Sequence, residues 1–145
     1  MSIALPTPAG TVVENADKAF RFTFTSGKWE AIQDQTSQGI AYTDGSAGFT
    51  ARSFDRKAAD LSAFATGQFQ ALGLMELLVQ PNVTLFRGNP SVSWQYVKEG
   101  VVHSVFCMET SANFVMLDLT VQSGPSASVD FDRLLTAAYT LDLAL

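Results

Sequence analysis

The sequence predicts an α+β domain: a central antiparallel sheet of about six strands with two main helices packed on it. Three observations predict it. Residues 83–121 hold β-branched and aromatic segments separated at short intervals by turn residues. Apolar residues at helical spacing recur twice, at 58–72 and again towards Leu141. No linker-like stretch divides the 145 residues, which is an ordinary length for one domain with one core.

Residues 1–17 contain Pro6, Pro8 and Gly10 with little periodicity and read as an extended N-terminal arm, leaving 18–145 as the single domain. In Phe20-Arg21-Phe22-Thr23-Phe24 aromatic and polar residues alternate, the mark of a strand with one buried face. Ser26-Gly27-Lys28 turns the chain towards Trp29. Ile40 to Thr43 and Gly48 to Phe54 are two strands around Asp44-Gly45, a pair suited to positive φ in a hairpin. The period then changes. Leu61, Phe64, Ala65, Phe69 and Leu72 share one helical stripe, and Gly73 is a natural stop.

Leu74 to Val79 is too short for periodicity to choose between helix and buried strand. Val83 to Arg87, Ser91 to Lys98, Val101 to Glu109 and Asn113 to Val121 read as consecutive antiparallel strands. Gly124-Pro125-Ser126 ends the sheet. Ser128 can cap a last helix, with Asp130 and Asp132 near its positive end and Leu134, Leu135, Ala138 and Leu141 on its buried stripe.

Charged residues make up only 16% of the chain against 47% apolar, which implies a charge-poor surface. A net charge of −5 with scattered Lys and Arg offers no stripe for phosphates, which argues against nucleic acid and anionic membrane surfaces. No apolar run approaches the roughly 20 residues of a membrane span, and the start MSIALPTPAG has neither a cationic n-region nor an h-region. The expected compartment is the cytoplasm, and the lone Cys107 fits a reducing one.

The order of strand, Trp-bearing turn, strands, amphipathic helix, three-stranded meander and closing helix resembles the PsbP/Mog superfamily over most of the chain. The anchors are Phe22-Thr23-Phe24 before Trp29, Phe86-Arg87-Gly88-Asn89-Pro90 entering the strand with Trp94, and Phe131 to Leu141 in the last helix. Their order carries the resemblance. It implies an α/β/α sandwich and a binding module, with partners as different as a small GTPase in the Mog branch, photosystem II in the PsbP branch, and transmembrane helices of secreted toxins in the type VI effector-associated chaperones. No PsbP-type transit peptide is expected from the start MSIALPTPAG, and no residues match a GTPase-binding motif. Similarity to the effector-chaperone branch implies a cytoplasmic chaperone for apolar helices.

Tight two-residue loops at Glu99-Gly100 and Ser111-Ala112 would set Trp94 opposite Val105, Cys107 opposite Met116 and Phe106 opposite Leu117. Two faces follow. One carries Val102, Phe106, Met108, Val115, Leu117, Leu119 and Val121 and reads as helix-covered core. The other carries Trp94, Tyr96, His103, Val105, Cys107, Phe114, Met116 and Asp118, rings and sulfur mixed with a few polar groups. Trp94, Tyr96, Val105, Cys107, Phe114 and Met116 are therefore the expected partner-binding residues. The competing reading covers this face with a helix of the same chain. From Leu61 to Phe86 the only charged residue is Glu76, and so long a neutral segment must be buried or meet something.

No catalytic, metal or cofactor constellation emerges. His103 and Cys107, four apart on a strand, are separated by roughly 13 Å. His103 and Asp118 are diagonal neighbours, but Ser104 points to the other face, so the pair lacks a nucleophile. Gly45 and Gly48 have no phosphate-holding Lys, and Glu30, Asp44, Asp55 and Asp60 are not spaced as a calcium loop. The expected function is a non-catalytic adaptor or chaperone, a homodimer holding an apolar segment of a protein partner. The alternative is a small-molecule-binding protein or enzyme with a pocket near His103 and Asp118. A chaperone of the type III secretion class would begin with a helix, where this chain offers Phe20 to Phe24.

Overall fold

A computed structural model describes residues 5–6, 11–14, 20–24, 30–31, 39–43, 47–56, 60–71, 76–86, 88–110, 113–125 and 127–143. The chain runs through Leu5–Pro6 (β1), Thr11–Glu14 (β2), Phe20–Phe24 (β3), Glu30–Ala31 (β4), Gly39–Thr43 (β5), Ala47–Asp55 (β6), Leu61–Ala71 (α1), Glu76–Phe86 (β7), Asn89–Lys98 (β8), Val101–Glu109 (β9), Asn113–Gln122 (β10), Ala127–Ala138 (α2) and Asp142–Leu143 (β11). An eight-stranded antiparallel sheet has the order β1-β4-β5-β6-β10-β9-β8-β7, and a three-stranded sheet has the order β11-β3-β2. The fold is the α+β class expected, with more strand than expected. Trp29, the Asp44-Gly45 turn and Gly73 lie outside the described residues.

Turn chemistry sets the register of the meander. Glu99 (φ 54°) and Gly100 (φ 76°) are both left-handed, the two-residue hairpin whose twist matches that of the strands it joins. At the next hairpin the Thr110 N–H donates to the Asn113 carbonyl at 2.8 Å. Trp94 accordingly sits opposite Val105, Cys107 opposite Met116 and Phe106 opposite Leu117, as the loop lengths dictate.

Side-chain alternation then gives the sheet two buried faces. On one, Met108, Val115, Leu117, Leu119 and Val121 join Phe49 and Ala51 of β6, Phe20 and Phe22 of β3, and Leu134 and Ala138 of α2. Phe22 meets Phe49 edge-on at 4.6 Å, so the small sheet shares this core. On the other, Trp94, Tyr96, Val105 and Cys107 pack with Ala65 of α1.

Three boundaries differ from the sequence reading. Of residues 1–17, Leu5–Pro6 pairs with β4 and Thr11–Glu14 with β3, so the described part of the arm is tied by strand pairing. The segment left open at Leu74 to Val79 is strand from Glu76 onwards, running through Pro81 at the sheet edge with register shifts between Leu77 and Val79 and between Val79 and Asn82. The last helix begins at Ala127, one residue before the expected Ser128 cap, and Leu141 lies beyond its end yet is buried.

Candidate functional site

The six residues expected to bind a partner come together on one face, but α1 occupies that face. Trp94, Tyr96, Val105, Cys107 and Phe114 are each at most 4% exposed, and Met116 is partly buried against the same cluster. Phe64 of α1 stacks on Phe114 with ring centroids 4.4 Å apart, and Phe69 meets Trp94 edge-on at 5.6 Å. Of the two readings of this face, the one with a helix of the same chain over it matches the packing of α1. The physical reason is that the stripe of Leu61, Phe64, Ala65 and Phe69 itself needs an apolar surface, and the aromatic sheet face supplies it.

Burial governs the chemistry left on this face. The Cys107 thiol is pushed up to about 12 by burial and is a packing group at neutral pH. The Trp94 indole N–H is buried without a hydrogen-bond partner among the described residues.

At the border of the cluster the diagonal contact between His103 and Asp118 forms. His103 Nδ1 lies 3.1 and 3.2 Å from the two Asp118 oxygens, and its ring stacks on Tyr96 with centroids 4.5 Å apart at 8°. The Tyr96 hydroxyl is raised to about 12, first by burial and then by the negative charge of Asp118. Ser104 turns to the opposite face, where its hydroxyl accepts from Gln95 Nε2 at 2.9 Å. The pair can orient a ligand or a proton, but no Ser or Cys nucleophile stands beside it. Among the described residues no group of three or more His, Cys, Asp and Glu side chains could hold a metal ion.

The surface left open lies at the β7 end of the sheet. Among the described residues β7 pairs with β8 on one side only, and along it Leu77, Leu78, Val79, Val83 and Leu85 are 36%, 48%, 45%, 81% and 69% exposed. Helix α2 packs over β10, β6 and β3. Beyond it, a cavity of about 610 Å³ is lined by Thr84, Leu85, Phe86, Ser93, Phe106 and Tyr139, none of them charged. Phe86 is its aromatic floor, 5.0 Å from the Phe106 ring and 5.4 Å from that of Tyr139, which is half exposed. Sequence reasoning missed these residues, although the charge-free run from Leu77 to Phe86 was the signal that pointed at them.

Neither a protein-family model nor a curated protein matches this sequence. Solved structures do match. A protein of Bacteroides thetaiotaomicron superposes with a TM-score of 0.67 at 12% identity over 95% of this chain, which spans about half (50%) of that protein's length. Cyanobacterial PsbP (CyanoP) of Synechocystis sp. PCC 6803 gives 0.65 at 10% identity, covering 95% of both chains. A mutant of the protein Mog1 gives 0.58 at 10% identity over 92% of this chain and 95% of that one. The chain has the PsbP/Mog-like fold, the architecture the resemblance implied.

Proposed function

We propose that this chain is a non-catalytic adaptor or chaperone of the cytoplasm that works as a homodimer and holds an apolar segment of a partner protein. The groove beside β7 is the seat. The carrying observation is that a cavity floored by Phe86, Phe106 and Tyr139, with no charged side chain among its described lining residues, opens next to the exposed apolar edge. Such a surface favours an uncharged, apolar guest, because each buried apolar Å² contributes about 25 cal/mol while a charged guest would lose its hydration unpaired. A segment threaded along it finds the rings of Phe86, Phe106 and Tyr139 for its side chains.

Photo-cross-linking from a benzophenone amino acid at Tyr139, with one at exposed Glu99 as control, tests this in cells of the source organism. A partner joined at Tyr139 and not at Glu99 is expected. Tyr139→Asp should then weaken its binding at least about tenfold, and Trp94→Phe should leave it unchanged. Equal cross-linking at both positions, or unchanged binding in Tyr139→Asp, contradicts the reading.

The second reading, a small-molecule site around His103 and Asp118, is favoured by one observation: the two side chains converge against Tyr96. A ligand whose affinity falls in both His103→Ala and Asp118→Asn, and not in Tyr139→Asp, would support it.

A further inference from the structure

The open edge of the sheet has one regular segment. In the β7·β8 pair the register is unbroken from Asn82 to Phe86, where Phe86 pairs with Asn89 across a two-residue loop. The pair flanking such a loop is hydrogen-bonded, and antiparallel pairs alternate between bonded and non-bonded. Phe86, Thr84 and Asn82 therefore direct their main-chain groups to β8. Val83 and Leu85 direct theirs outward, two N–H groups and two carbonyls on the free side of the strand. The two side chains, 81% and 69% exposed, are a matched apolar pair on the α1 side of the sheet.

We propose that a second copy of this chain pairs with this edge, antiparallel, about a two-fold axis at Thr84. This names the interface of the homodimer proposed above and does not depend on the groove being occupied. In that register Val83 of each copy faces Leu85 of the other. Both are residues with outward main-chain groups, so four hydrogen bonds close around a central non-bonded Thr84–Thr84 pair. A one-residue shift of register would set outward groups against inward ones, and moving the axis to Val83 would set Leu85 against Pro81, which has no N–H, so the segment is self-complementary in this register.

Charge selects the same occupant. The chain carries a net −5, which opposes self-association over most of its surface, yet residues 77–86 hold no charged side chain. Nothing along the edge attracts a partner of a chosen sign, and two copies meet there without repulsion. Pro81 and the register shifts limit the pairing to about five residues, about 17 Å of strand, so the two-fold closes and no fibre propagates. The contact falls below the roughly 800 Å² per partner of a standard interface, which sets micromolar rather than nanomolar strength. An axis perpendicular to the sheet keeps the α2 faces of both copies on one side. The two grooves then adjoin across Thr84, offering a partner segment twice the length of apolar surface.

Sedimentation velocity on the full chain between about 1 and 300 µM tests the proposal, with a reversible monomer–dimer equilibrium of micromolar Kd expected. Val83→Lys and Leu85→Lys, both at exposed positions, should each weaken it at least about tenfold while leaving thermal unfolding unchanged. Thr84→Cys should oxidise to a disulfide-linked dimer and Val79→Cys should not, since only the axial residue meets its own copy; buried Cys107 does not compete. A monomer at every concentration, or a dimer indifferent to both lysines, overturns the proposal. Groove binding is read from Phe106 and Tyr139 on the opposite face, so either idea can fail alone.

Discussion

At Trp94 the sheet holds a large ring with an unsatisfied donor, and the two properties oppose each other. Truncation to Ala should cost about 3–5 kcal/mol, as for other buried aromatics, whereas Trp94→Phe keeps most of the packing and removes the orphan N–H. Urea unfolding should therefore place Trp94→Phe within about 1.5 kcal/mol of the parent. Cys107 and Tyr96 make a pH prediction. Both are raised to about 12 in the folded chain, from ordinary values of 9.0 and 10.0, so folding favours their neutral forms. That contribution is intact below pH 9, begins to fade as pH rises past the ordinary values, and is lost as pH reaches about 12. The urea midpoint should fall over that interval, less steeply in Tyr96→Phe, and Cys107 should resist thiol reagents until the protein unfolds. The His103–Asp118 contact was legible from strand register alone. The orphan indole was not, because it depends on where α1 lies.

At the scale of elements, loop chemistry explains what could be read. Two-residue turns fixed the pairing of β8, β9 and β10, and Glu99 in a left-handed conformation marks where the sequence is not optimal. Glu99→Asn should stabilise the chain by about 0.5–1 kcal/mol in thermal or urea unfolding, since Asn-Gly suits this hairpin better. Helix α1 starts where Asp60 Oδ1 accepts the Ala63 N–H at 2.7 Å, so Asp60→Ala should cost about 1 kcal/mol. Strand β7 was harder to read, because Pro81 interrupts its pattern and the Pro is tolerated only because the strand lies at the edge. Strands β2 and β11 were missed for a different reason. Short segments become strands through the neighbour they pair with, here β3 for both, and no local pattern encodes that choice.

For the whole molecule, one ambiguity decided the location of the site. The face with Trp94, Cys107 and Met116 has the composition of a binding surface and of a helix-covered core alike, and only the tertiary arrangement separates them. Two helices must cover a sheet wider than they are. Helix α1 takes β8 and β9, α2 takes β6 and β10, and at the β7 end Val83 and Leu85 stay 81% and 69% exposed on the α1 side while a cavity opens beyond α2 on the other. The neutral stretch from Leu61 to Phe86 divides accordingly: α1 buries its aromatic stripe, and β7 shows Val83 and Leu85 to solvent. No helix among the described residues is long and apolar enough to cross a membrane. The most direct measurement is hydrogen–deuterium exchange of the full chain with and without a partner recovered by cross-linking. The account predicts slowed exchange at the Tyr139 end of α2 with α1 unchanged; accelerated exchange in Leu61–Ala71, with the Tyr139 end unaltered, would show that the guest displaces α1 and binds the aromatic face beneath it.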